Sequence, residues 1–182
     1  MSTSRRSTLA AVGSGLAVPQ IAGTGLAADA AGAGAAGDVA DALAQQSEQA
    51  NAALMRGDLQ RYRALVEITD DFTLMSPFGG RPTRGTEFTA ERWTAVAQFF
   101  ANGTLKQEVV QTYGSADMVV LAVIERARVE VGGLPAQDWA LRVTLVYRRE
   151  RDGWRLAHRH ADPLATGISL RQAAALARGA AS

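Results

Sequence analysis

Residues 117–131 read DMVVLAVIERARVEV, and no other stretch restricts the fold as much. The run is long and rich in β-branched side chains, which reads as a strand. Side chains alternate across a strand. Val119, Leu121 and Val123 therefore point one way, and Met118, Val120, Ala122 and Ile124 the other. Both sets are apolar, so both faces of the strand need cover. Helices of the same chain can supply one layer. The other is most simply a second subunit.

Further strand-like runs flank it. LKQEVVQTY precedes it; QDWALRVTLVYRRE and WRLAHRHAD follow. Gly132-Gly133-Leu134-Pro135 and Arg151-Asp152-Gly153 supply tight turns. Consecutive strands with short connections imply an antiparallel meander. Upstream, Val39, Leu43, Ala50 and Leu54 approximate one face of a helix over 38–56. Gly57 ends it, and Asp58 caps a second helix, DLQRYRALVE. Phe72 to Ser76 reads as a short strand, and Pro77, Gly79, Gly80 and Pro82 as a loop. Thr89 caps a third helix whose Trp93, Val96, Ala97 and Phe100 form an apolar stripe, stopped at Asn102-Gly103. SLRQAAALARG adds a short helix ended by Gly179. The fold class is α+β: a curved antiparallel sheet packed on three helices, with a conical cavity between helices and concave face.

The opening residues have the parts of an export signal: Arg5-Arg6, a weakly apolar middle, and Ala28-Asp29-Ala30 as a small-residue cleavage site. Ser4-Arg5-Arg6 followed by Leu9 gives it a twin-arginine character. The organisation is a signal over 1–30, a linker over 31–37, the cone domain over 38–165 and a tail over 166–182. The expected location is periplasmic or secreted. The chain has 19 basic and 18 acidic residues, so no bulk charge draws it to nucleic acid or an anionic membrane, and neither is an expected partner. It has no cysteine, which excludes disulfides, thiolate metal sites and cysteine nucleophiles.

The only two histidines, His158 and His160, fall on the last strand with Asp162 two further on. Strict alternation from Trp154 and Leu156 puts all three on the inward face. A histidine there can serve as general acid or base, oriented by Asp162 or Glu125. The pair could also chelate a metal with Asp162, but no distant third ligand is apparent, so no metal or other cofactor is assigned. The remaining alternative is a hydrogen-bonded wall without chemistry. Glu125 ends the inward apolar run, either as a desolvated acid or base or in an ion pair with a cross-strand arginine such as Arg142. Trp139, Tyr147 and Leu156 suit a pocket lining; Tyr62 and Phe78 suit its mouth, with the PFGGRP loop as rim. On this placement His158→Ala is more damaging than Arg159→Ala.

GDLQRYRALV, DDFTLMSPFGG and RVTLVYRRERDGWRLAHRHADPL together resemble the cone-shaped α+β barrel of nuclear transport factor 2-like proteins. The similarity is to the SnoaL-like branch and to the association domain of calcium/calmodulin-dependent protein kinase II. The resemblance implies a pocket and self-association, as a homodimer or a larger homo-oligomer. Relatives include isomerases, cyclases, hydrolases and non-catalytic assembly domains. The kinase association domain binds carboxylates through pocket arginines, and its strand arginine falls on Leu145 here. The expected function is an exported module that binds a small apolar organic ligand or assembles. The alternative is a cofactor-independent isomerase, cyclase or hydrolase using a pocket histidine.

Overall fold

The computed structural model describes the backbone of residues 26–178 and the side chains from Gly37 onward. Most of the expected signal and the Gly179 stop lie outside the described residues. Helix α1 spans Leu26–Met55, so the expected linker over 31–37 and the expected cleavage point after Ala30 both fall within a helix. The alanine-rich composition favours that continuation. Helix α2 spans Leu59–Leu65, capped by Asp58, whose Oδ1 accepts from the Arg61 amide at 2.9 Å. Strand β1 (Ile68–Met75) leads through the rim loop to β2 (Thr83–Arg84) and a 3-10 turn (Gly85–Glu87). Helix α3 (Ala90–Phe99) starts on a Thr89 cap. Strands β3 (Phe100–Gly114), β4 (Met118–Val131), β5 (Leu134–Glu150) and β6 (Gly153–Pro163) form the meander, and α4 (Leu170–Ala177) closes the described chain.

The six strands make one sheet in the order β2-β1-β6-β5-β4-β3. The meander is antiparallel as expected. The first strand departs from that pattern: β1 adds beside β6 in parallel. The connection through all later elements permits this, since parallel neighbours need a long crossover.

Strand β4 alternates as its sequence requires. Val119, Leu121, Val123, Glu125, Ala127, Val129 and Val131 are buried toward the helices. Their interior divides in two. Beside the middle of α1, Ala40, Leu43 and Ala44 pack with Phe72, Leu121, Leu145, Tyr147 and Leu156 into solid core. Toward its C-terminal half, Ala50, Leu54 and Met55 face Tyr62, Trp93, Leu105 and Val129 more loosely. Gly103 fixes that second junction: a Cβ there would sit 2.7 Å from both the Met55 carbonyl and the Val129 side chain. Glycine is what lets β3 pass under the end of α1.

The opposite sheet face carries Val120, Ala122 and Ile124, with Met118 and Tyr113 largely exposed. Among the described residues no helix covers it.

Strand β6 holds the main departure from strict alternation. Tyr147 pairs with Leu156, but Val146 pairs with His158. Ala157 is therefore an extra residue, a β-bulge, and from it onward the two faces exchange. Leu156, Arg159 and Ala161 point in. His158, His160 and Asp162 point out, across from Val146, Thr144 and Arg142.

Candidate functional site

The looser half of the interior is a cavity of about 560 Å³. Its wall is largely aromatic: Phe72, Phe88, Trp93, Phe99 and Trp139 line it, with Tyr62 at depth. Apolar concavities of this size with a few convergent polar groups are typical of small-molecule sites. The rim is the loop after β1. Gly79 and Gly80 hold φ of +73° and +82°, a left-handed backbone that disfavours other side chains. That turn delivers Phe78 to the mouth, where its ring meets Phe99 at 5.4 Å and Trp139 at 5.6 Å between centroids.

One ion pair stands at the inner end. Arg159 donates from Nη1 to Glu125 Oε1 at 2.8 Å and from Nη2 to Oε2 at 2.7 Å. The Arg159 side chain is 16% exposed and that of Glu125 4%, so the pair is shielded from water. Asn51 of α1 donates a third hydrogen bond to Oε1 at 3.1 Å. Behind it the Asn51 amide is 3.4 Å from Ser47 Oγ, which donates to Gln107 Oε1 at 3.0 Å. Helix α1 is thus tied by polar contacts to β3 and β4, and through Glu125 to β6.

The electrostatics follow from this packing. Burial opposes charge on Arg159, but the Glu125 charge and hydrogen bonds outweigh it and hold the guanidinium above its ordinary value. Burial pushes the Tyr62 hydroxyl up, opposed by Arg159. Burial also pushes Tyr147 up, to about 12. Both phenols are therefore uncharged at neutral pH. At the mouth, exposed Arg92 donates to Thr83 Oγ1 at 3.1 Å and lies over the Phe88 ring.

Of the residues singled out from sequence, Glu125, Tyr62, Phe78 and Trp139 line this cavity. Tyr147 and Leu156 do not; they are part of the solid core under α1. His158 and His160 are also elsewhere, because the Ala157 bulge turns them to the outer face. There His158 Nδ1 is 2.7 Å from Thr73 Oγ1, and His160 Nε2 is 3.5 Å from Asp162 Oδ1. Burial and the neighbouring His160 both lower the affinity of His158 for a proton. Asp162 lies 3.4 Å from Arg142, which therefore does not pair with Glu125. Among the described residues, no cluster of three His, Asp or Glu side chains has metal-binding geometry.

Sequence reasoning missed Arg159 and Asn51. One signal pointed to the first: a buried carboxylate requires a buried cation, and Arg159 is the inward arginine once the bulge is known. Arg159 is the direct cross-strand partner of Leu145 on β5.

A family model for the SnoaL-like domain matches residues 43–165. No curated protein matches the chain. Among solved structures, one named as a calcium/calmodulin-dependent protein kinase type II association domain, from Thiobacillus denitrificans, is 28% identical with a TM-score of 0.52, covering 66% of this chain and 93% of that one. A nuclear transport factor 2-like protein from Salmonella enterica serovar Typhimurium is 16% identical with a TM-score of 0.60, covering 74% and 97%. A structure named as a ketosteroid isomerase, from Shewanella frigidimarina, is 24% identical with a TM-score of 0.53, covering 68% and 97%. The last two speak to the fold alone. With its helices cupped over a curved sheet in the fold of nuclear transport factor 2-like structures, and a family match across most of its length, the chain belongs to the SnoaL-like domain family.

Proposed function

We propose that this protein is an exported module that binds a small, mostly apolar organic molecule in its cone cavity and works as a homodimer or larger assembly. The observation that carries the binding half is the aromatic-lined cavity of about 560 Å³ with a shielded charge pair at its inner end. Export rests on Arg5-Arg6 and the small residues ending at Ala30. Assembly rests on the apolar outer face of β4 and on the likeness to a structure named as an association domain.

A second reading is cofactor-independent isomerisation, cyclisation or hydrolysis. It loses His158 and His160 as acid or base in this cavity, since neither lines it. It retains Glu125, which faces the cavity beside Tyr62. Both of its oxygens are already held by Arg159, which favours the binding reading.

The binding half is tested with a neutral fluorescent hydrophobe, N-phenyl-1-naphthylamine. Its emission should rise on mixing with the protein. Val96, half-buried on the cavity side of α3, has room to become a larger side chain that turns inward. Val96→Trp should weaken the probe by about tenfold or more, a loss of about 1.4 kcal/mol or greater. Unchanged binding would put the probe outside the cavity and remove this support.

The assembly half is tested by native mass spectrometry. The wild type should be dimeric or larger, and Val120→Arg on the outer face should shift it to monomer, because a buried unpaired charge is costly. A monomeric wild type would remove the assembly half.

A further inference from the structure

We infer that the cavity selects its ligand by charge: it accepts an aromatic skeleton carrying an uncharged hydroxyl or carbonyl and rejects the same skeleton carrying a carboxylate. This rests on the binding reading above and specifies the ligand's polar end.

The ion pair is closed on itself. Each Glu125 oxygen is held by a guanidinium N–H, at 2.8 and 2.7 Å, and Oε1 by Asn51 as well. The inner end of the cavity is therefore neutral as a unit. A free carboxylate entering it would give up its hydration and meet equal and opposite charges side by side. To claim Arg159 it would have to displace Glu125. That carboxylate would then remain buried with only Asn51 as a partner, a costly state.

A neutral group meets no such obstacle. A guanidinium has five N–H donors, and Glu125 uses two of those on Arg159. A carbonyl or hydroxyl oxygen can accept from one of the rest. A hydroxyl can also donate to Glu125 Oε2, which accepts a single hydrogen bond among the described residues. Tyr62 stands beside the pair as a neutral phenol, adding a second partner without adding charge.

The other charged lining residue is Arg92, which is exposed and already engaged with Thr83 and the Phe88 ring. A charge in contact with water at the mouth is screened and does not compensate an anion at depth. The aromatic wall sets the rest of the ligand. Flat apolar rings offset-stack or meet edge to face with Phe72, Phe88 and Trp139.

The test is calorimetric titration of the full chain at neutral pH with three ligands of one skeleton: 2-naphthol, methyl 2-naphthoate and 2-naphthoate. The first two are uncharged and the third is an anion. The expected result is that both neutral ligands bind at least about tenfold more tightly than the anion. Glu125→Gln, which leaves Arg159 without its counter-charge, should improve 2-naphthoate by at least about tenfold and remove or reverse the preference. The wild-type comparison decides the matter even if that variant does not fold. Equal or tighter binding of 2-naphthoate by the wild type would overturn the inference and leave the pocket reading intact. Binding of N-phenyl-1-naphthylamine with no binding of either neutral naphthalene would also overturn it. Failure of the probe as well as all three ligands would overturn the pocket reading itself.

Discussion

Replacing Arg159 with alanine is expected to lower stability by about 3–5 kcal/mol, the range for removing one partner of a buried ion pair. The loss comes less from the missing attraction than from what stays behind. Glu125 is left at 4% side-chain exposure with Asn51 as its remaining partner. Urea unfolding followed by tryptophan fluorescence measures this directly. His158→Ala is the control on the same strand. It removes a contact to Thr73 on a partly exposed face, worth about 1 kcal/mol. The order is the reverse of what strict alternation along β6 implies. Glu125→Met with Arg159→Met removes both charges together and should cost much less than Arg159→Ala alone, because apolar replacement of a whole buried pair is often neutral. If the single and double variants lose equal stability, the penalty is one of packing and not of an orphaned charge.

Leu145→Ala is expected to cost about 2–5 kcal/mol, as for other fully buried leucines. Leu145 is 1% exposed and packs within the cluster that includes Leu121, Val143 and Tyr147. Leu145→Arg should be worse than alanine. It would set a second guanidinium directly across from Arg159, and the one nearby buried carboxylate is already bound through both oxygens. Denaturant midpoints rank the two variants. A stable Leu145→Arg protein would mean that Glu125 can serve two arginines and that the cavity end is more polar than the hydrogen bonds indicate.

The fold was legible because its signals were redundant. The alternation along β4, the two glycine-bearing turns and the caps Asp58 and Thr89 each name an element, and all agree. Alternation also placed Glu125 correctly, since β4 has no irregularity between Val119 and Glu125 in its pairing with β5. The site was legible only as far as that regularity extended. Tyr62, Phe78 and Trp139 belong to the cavity as their apolar bodies suggested. Tyr147 and Leu156 are equally apolar and inward but sit at the packed end, because distance along the cone, and not facing, separates core from cavity. That coordinate depends on where α1 crosses the sheet, which no local pattern encodes. The parallel placement of β1 was hidden for the same reason. The histidines were misplaced by one residue: Ala157 has no turn-forming chemistry to announce a bulge.

That bulge gives β6 two possible phases. Flattened, the strand would slide by one position past β5, and the stretch AHRHAD would present imidazoles to the interior in place of a guanidinium. The side chains of β6 already favour the bulged frame, which buries Ala161 and leaves Asp162 outside beside Arg142. A carboxylate two strands away adds to that preference, since one frame satisfies it with a planar, permanently charged fork and the other does not. The salt bridge therefore serves as a register pin as well as a feature of the cavity. A protein of this shape can keep a second set of chemical groups folded on the outside of its own wall, one step out of phase with the set that faces its interior.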